Sequence, residues 1–117
     1  KYNLAFKLLV RTRLDLEKNA KKILRKIDKK IIDEYNIKYI KSYVQAGSGS
    51  LPIENIDSIA LTFQSKKKKP TIISSKFRLS NNPTIGYIKG NKFHIDLKAI
   101  PNDQISILID TIINCLG

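Results

Sequence analysis

The spacing of apolar residues changes along the chain, and that change limits the folds open to it. From Leu16 to Ile31 apolar residues recur every three or four positions, which is the period of an amphipathic helix. The stretches from Ile37 to Val44 and from Ser58 to Gln64 are rich in β-branched and aromatic residues, which favours strands. A helical period returns near the C-terminus, with apolar residues at Ile105, Leu108, Ile109, Ile112 and Leu116.

The first predicted helix begins at a capping box. In Thr12-Arg13-Leu14-Asp15 a hydroxyl and a carboxylate stand where they can satisfy the free amides of a helix start. We expect the helix to continue to about Ile32, with one apolar and one basic face. The apolar face contains Leu16, Ala20, Ile23, Leu24, Ile27 and Ile31, and the basic face contains Lys18, Lys21, Lys22, Arg25, Lys26 and Lys29.

A β-hairpin is predicted around Lys89-Gly90-Asn91, because this glycine-centred turn separates Thr84–Ile88 from Lys92–Leu97. The second of these strands alternates apolar and polar residues, so one set should be buried and the other exposed. The expected buried set is Phe93, Ile95 and Leu97, and the expected exposed set is Lys92, His94 and Asp96.

The order of these elements predicts an α+β fold. One stretch, Thr71 to Leu79, fits either a short helix or extended chain. Taken together, the predicted helices and strands indicate a small, mostly antiparallel sheet with helices packed on one face. We expect a single domain over residues 1–117, in which residues 1–34 form an N-terminal linker and basic helix and residues 35–117 the α+β core. Since the sequence begins without methionine and contains none, we expect it to be a piece of a longer protein.

Composition excludes several kinds of site. With Cys115 and His94 as the only cysteine and histidine, the chain has too few ligands for a structural zinc site, and no metal is expected. His94 and Asp96 lack the nucleophile motif of a hydrolase triad. No apolar run approaches the ~18 residues of a membrane helix, and the start does not resemble a signal peptide. We therefore expect a cytoplasmic protein.

The net charge of +12 allows two interpretations. Lysines on one side of a helix can be a solvated face, and they can also attract phosphates. The run Lys66-Lys67-Lys68-Lys69, closed by Pro70, is predicted to be an exposed loop because its charges repel one another. Phosphate contacts by this loop would make binding depend steeply on salt.

The stretch Gly47-Ser48-Gly49-Ser50-Leu51-Pro52-Ile53-Glu54 precedes the second predicted strand. Glycine tolerates positive φ and proline fixes φ near about −65°, so the stretch can form a shaped turn that presents amides and hydroxyls. A flexible connector is the alternative, because Gly/Ser composition favours coil.

Several motifs occur together in the order found in bacterial selenocysteine synthases, the L-seryl-tRNA(Sec) selenium transferases. From about Leu8 onward the chain resembles the C-terminal end of that family, which belongs to the fold-type I pyridoxal-phosphate enzymes. The matching segments are Gly47 to Pro52, Ser58-Ile59-Ala60-Leu61, Pro83-Thr84-Ile85-Gly86-Tyr87-Ile88, Lys89-Gly90-Asn91, Asp96-Leu97 and Pro101 to Leu116.

The resemblance implies the small C-terminal domain of an enzyme that converts seryl-tRNA(Sec) to selenocysteinyl-tRNA(Sec) with selenophosphate. In the family the cofactor pyridoxal phosphate forms a Schiff base with a lysine upstream of this segment. The resemblance therefore implies that this fragment binds no cofactor, contains no catalytic residue and is inactive alone. The implied partners are its own upstream pyridoxal-phosphate domain, tRNA(Sec), selenophosphate and further copies of the full-length chain.

The resemblance also implies site residues. The turn formed by Gly47, Ser48, Gly49, Ser50, Leu51 and Pro52 would line the mouth of the active site. The basic residues nearest to the tRNA backbone would be Lys22, Arg25, Lys26, Lys66, Lys67, Lys68, Lys69 and Arg78.

Three alternatives stay open at this point. The chain can be the small domain of a related pyridoxal-phosphate enzyme that acts on a substrate other than tRNA. It can be an independent basic α+β module that binds nucleic acid, with a steep salt dependence. It can also be a structural domain that only docks onto a larger assembly.

Overall fold

The computed structural model of this protein, which describes residues 12–46 and 54–117, begins with the predicted capping box. Thr12 Oγ1 accepts a hydrogen bond from the Asp15 backbone N–H at 3.2 Å, and an Asp15 carboxylate oxygen accepts one from the Thr12 N–H at 3.1 Å. These bonds satisfy free amides at the start of the helix. Helix α1 spans Arg13–Lys26 and buries Leu16, Ala20 and Ile23.

The prediction that this helix continues to Ile32 is wrong. At Ile27 the backbone is extended (φ −98°, ψ 138°), and a second helix, α2, spans Lys29–Glu34. The break occurs because Asp28 Oδ1 accepts a hydrogen bond from the Lys30 N–H at 3.0 Å and so caps a new helix. Ile27 is nevertheless buried, whereas Leu24 and Ile31 of the predicted apolar face are only partly buried.

Four antiparallel strands form one sheet, as predicted. They are β1 (Lys38–Ala46), β2 (Glu54–Phe63), β3 (Tyr87–Lys89) and β4 (Lys92–Asp96), in the spatial order β1-β2-β4-β3. Both strands predicted before residue 65 are present. The hairpin turn is tighter than expected, because Lys89 pairs directly with Lys92 across Gly90 and Asn91. Both turn residues have positive φ (58° and 60°), as the common two-residue hairpin turns require.

Two further helices complete the fold. Helix α3 spans Pro70–Arg78, so the ambiguous stretch is helical, and its proline stands in the first turn, where no N–H partner is needed. Helix α4 spans Ile105–Leu116 and follows two short 3₁₀ turns, Leu97–Ala99 and Asn102–Gln104. All five residues of its predicted apolar stripe are buried. Among the described helices, none has the length and apolar character needed to cross a membrane.

Three phenylalanine rings join the sheet to helix α3. Phe63 of β2, Phe77 of α3 and Phe93 of β4 are fully buried, and their ring centroids lie 5.4 to 5.9 Å apart. Such tilted and offset ring pairs add to the stabilisation from area burial. Ile59, Leu61 and Ile95 share this face of the sheet and belong to the same core as the buried residues of α1 and α4. The predicted α+β fold, with helices on one face, is confirmed.

Gly86 lies close to strand β4. A Cβ at this position would overlap the backbone carbonyl oxygen of His94 and stand 2.8 Å from the ring of Phe93. At Gly90, in the hairpin turn, a Cβ would meet nothing within 4 Å, although φ is +58°. The two glycines are therefore required for different reasons, close approach at Gly86 and backbone conformation at Gly90.

We predict that Gly86→Ala lowers the free energy of unfolding by about 3 kcal/mol, because the overlap is with backbone and cannot be relieved by rotating a side chain. Gly90→Ala should cost only about 1 kcal/mol, the usual penalty of a left-handed non-glycine residue. Urea denaturation of both variants measures the difference. Equal losses at the two positions would contradict the close packing of Gly86 on β4.

Candidate nucleic-acid interface

The antiparallel pairing brings lysines from separate parts of the sequence to one end of the sheet. Lys38, at the start of β1, lies opposite Thr62, and Phe63 at the end of β2 lies opposite Phe93 at the start of β4. Helix α2, the loop after β2 and the β3–β4 turn therefore meet there. We call this region the basic end; its lysines are Lys29, Lys30, Lys38, Lys66, Lys67, Lys68, Lys69, Lys89 and Lys92.

Helix α1 also ends toward this region. Near its start, the Arg13 guanidinium donates hydrogen bonds to the backbone oxygens of Ser42 and Ser58, which lie four pairs along the β1–β2 ladder from Lys38. Its last turn contains Arg25 and Lys26, just before α2. Of the predicted phosphate contacts, the structure thus places Lys22, Arg25 and Lys26 on the half of α1 nearer to the basic end.

Only part of the four-lysine run faces solvent freely. Lys66, Lys67 and Lys69 are exposed, whereas Lys68 is half-buried. The Lys68 ammonium donates a hydrogen bond to the Tyr35 hydroxyl at 2.9 Å and lies 5.6 Å from the centroid of its ring. Ser65 Oγ accepts a bond from the Lys67 N–H at 3.1 Å, which bends the loop. Lys68 therefore anchors the loop that presents the other three lysines.

Lys68 also stands beside another lysine, Lys76 of helix α3. The hydrogen bond to Tyr35 raises the pKa of Lys68, while the Lys68 ammonium and partial burial lower the pKa of Lys76. Lys76 Nζ is otherwise 3.5 Å from the backbone oxygen of Cys115. Two adjacent ammonium groups repel each other, so an anion beside them would be held favourably.

Arg78 lies apart from the other predicted contacts. It occupies the last turn of α3 and donates a hydrogen bond to Ser75 Oγ at 3.3 Å. The helix begins at Pro70, directly after the lysine loop, so its eight steps carry Arg78 about 12 Å along the axis from that loop. The structure does not bring Arg78 together with the basic end.

The basic end also contains a cleft of about 780 Å³ with mixed charge. Lys66 and Lys67 line it together with Asp33 and Glu34 of α2. The carboxylates repel phosphates and the ammonium groups attract them, so a phosphate is favoured beside the lysines. Sequence reasoning missed the lysines of the hairpin and of β1, because only strand pairing brings them beside the loop.

The predicted mouth of the active site, Gly47 to Pro52, lies outside the described residues. The strand ends that it joins are described, since Ala46 of β1 pairs with Glu54 of β2. The ladder contains nine register pairs from Lys38–Thr62 to Ala46–Glu54, and its eight steps of about 3.4 Å give about 27 Å. The strand ends that flank this turn and the basic end therefore stand at opposite ends of the sheet.

The face of the sheet opposite the phenylalanine cluster is polar, and we call it the polar face. One row across it, set by the strand register, contains Lys38, Thr62, His94 and Tyr87. Beyond this row the Ser42 hydroxyl of β1 donates a hydrogen bond to the Asp96 carboxylate of β4. These polar side chains come from all four strands and share one face of the sheet, on which Ser42, Thr62 and His94 are buried and Lys38 and Tyr87 are exposed.

The prediction that His94 is exposed is wrong, since only 5% of its surface is accessible. The Tyr87 ring stacks on the imidazole, with centroids 4.9 Å apart and planes inclined by 17°. His94 Nδ1 lies 3.0 Å from the backbone oxygen of Lys92. Strand alternation correctly placed His94 on the face away from the core, but the neighbouring tyrosine covers it there.

Burial and, to a smaller extent, a hydrogen bond to Asp96 raise the pKa of Tyr87 to about 12. In the unfolded chain the phenol has a pKa near its ordinary value of about 10. The folded protein therefore holds the phenol proton more tightly than the unfolded chain does. The contribution of this difference to the stability of the fold is complete below pH 10 and is lost as pH rises toward 12.

We therefore predict that the stability difference between the wild type and Tyr87→Phe narrows as pH rises from 10 to 12. The variant lacks the titrating hydroxyl, and the other tyrosines are common to both proteins. Urea unfolding at a series of pH values provides the measurement. A difference that stays constant over this range would show that the phenol is not held as described.

Comparison with known proteins identifies the family. The sequence matches the L-seryl-tRNA selenium transferase family over residues 3–101. It is 29% identical over 110 residues to the L-seryl-tRNA(Sec) selenium transferase of Haemophilus influenzae, covering 93% of this chain and 23% of that protein. The enzyme of the same name from Proteus mirabilis is 32% identical over 101 residues, covering 84% of this chain and 22% of that protein. The chain thus spans less than a quarter of the length of these relatives, and it belongs to the L-seryl-tRNA selenium transferase family.

Proposed function

We propose that this chain is the C-terminal domain of an L-seryl-tRNA(Sec) selenium transferase that uses pyridoxal phosphate and selenophosphate to convert seryl-tRNA(Sec) to selenocysteinyl-tRNA(Sec). The family match over residues 3–101 and the names of the relatives support this proposal. The parent enzyme would act in the cytoplasm as a homo-oligomer, and this domain would dock onto its upstream part.

The described residues do not fit a pyridoxal-phosphate site. Such a site needs an enclosed lysine that is free to form a Schiff base. Lys76 has a lowered pKa, but that shift arises chiefly from its neighbour Lys68, and the side chain is only partly buried. Lys98 is buried but already has an interaction partner. We propose that the cofactor binds upstream of this chain, and that the fragment alone is inactive.

The role that we propose for this domain is to contact the phosphate backbone of tRNA through the basic end. The observation that carries the proposal is the convergence of lysines from α2, β1, the loop after β2 and the β3–β4 turn. Lysines brought together in this way neutralise several phosphates at once and release their counterions. We also propose that the segment from Gly47 to Pro52, which lies outside the described residues, lines the active-site mouth.

We predict that the triple variant Lys66→Ala, Lys67→Ala, Lys69→Ala flattens the salt dependence of tRNA binding. Each lost phosphate contact should reduce the slope of log affinity against log salt by about 0.7–0.9, so three contacts should reduce it by about 2–3. Fluorescence anisotropy with labelled tRNA at several salt concentrations measures the slope. Lys68 is kept because its bond to Tyr35 anchors the loop.

The matched control removes three charges elsewhere, in Lys18→Ala, Lys21→Ala, Arg78→Ala. Lys18, Lys21 and Arg78 are exposed and lie outside the basic end, so the slope should change little. If both triple variants reduce the slope equally, net charge alone governs binding and the basic end has no special role. If neither changes it, the proposed tRNA contact is wrong.

A further inference from the structure

The polar face contains a groove that is lined by lysines, whose positive charge is typical of nucleic-acid sites. The groove has a volume of about 470 Å³ and is lined by Lys41, Lys89 and Lys92 together with Tyr87 and His94. Among its described lining residues, none is a carboxylate. Of these lysines, Lys89 and Lys92 stand on the polar face, whereas Lys41 pairs with Ile59 and so belongs to the opposite face of β1. Two cations on one face favour a polyanionic ligand over a cationic one.

The ring of Tyr87 is positioned so that a nucleic-acid base can stack on it. Its ring stacks on the imidazole of His94, and this contact holds the ring in place. The residue still exposes 37% of its surface. A ring that is already held in place loses little conformational entropy when a base stacks on its free side. Bases of single-stranded RNA bind in this manner to aromatic side chains on sheet faces.

The one carboxylate of this face that the strand register places nearby is already engaged. Asp96 accepts a hydrogen bond from Ser42 and interacts with the Tyr87 hydroxyl, and it is only partly exposed. It would repel a phosphate placed above it but not a neutral base. Lys89 and Lys92 lie further along the β3–β4 hairpin, toward the turn. The face therefore favours a base over Tyr87 and phosphates over the hairpin lysines.

We propose that the polar face binds an unpaired segment of RNA, with a base stacked on Tyr87 and backbone phosphates at Lys89 and Lys92. The inference rests on the proposed function, because these two lysines also belong to the basic end. A strand that leaves the tRNA backbone contacts at the basic end can continue onto the polar face along these two lysines. The site would thus distinguish unpaired from paired RNA.

The test measures binding of this chain to an unstructured oligouridine of about eight nucleotides, within the range that one such surface accommodates. Tyr87→Leu should weaken binding roughly 5- to 100-fold, which corresponds to the loss of one stacked base, without changing the salt slope. The control Tyr87→Phe keeps the ring and should stay within about twofold of the wild type. An RNA duplex with the same number of phosphates should compete poorly for the face.

A second variant keeps the test decisive if Tyr87→Leu perturbs the fold. Lys89→Ala, Lys92→Ala should reduce the oligouridine salt slope by about 1.4, at about 0.7 per phosphate on a single strand. If a folded Tyr87→Leu protein binds oligouridine with wild-type affinity, the inference is overturned, and the polar face would then contact protein instead of RNA. That outcome does not affect the proposed tRNA contact, which is decided separately by the Lys66, Lys67 and Lys69 variant with tRNA.

Discussion

The contact among Phe63, Phe77 and Phe93 determines which face of the sheet is covered. The three rings bury one side of β2 and β4 against helix α3, and the aliphatic residues of α1 and α4 extend the same core. Since side chains alternate along a strand, packing the phenylalanines on one face places Thr62, His94 and Asp96 on the opposite face. The polar face is therefore a direct consequence of how the core packs.

Much of the fold could be predicted from the sequence because the signals are local. The capping box at Thr12 and the apolar stripe from Ile105 to Leu116 depend on residues within a few turns of each other, and both are confirmed. The end of α1 was not predictable in the same way. An aspartate such as Asp28 can stand on a helix surface or cap a new helix, and the apolar period alone does not decide between them.

The candidate site was predicted less well because it depends on contacts between distant residues. The lysine run was evident, but Lys38 and Lys89 join it only through strand register. Arg78 looked equivalent to the loop lysines in sequence, yet helix α3 carries it away from them. Alternation placed His94 on the correct face but could not reveal that Tyr87 would cover it.

Strand β1 forms one edge of the sheet, and this position has a consequence for the behaviour of the protein in solution. Among the described strands it pairs only with β2, so its nine residues present one row of backbone groups outward. A long edge strand can pair with another chain and start aggregation, and lysines on such a strand oppose that pairing through charge repulsion. Lys38 and Lys41 are exposed on β1 and can supply this protection. Because salt screens the repulsion, concentrated salt would leave the edge more open to self-association.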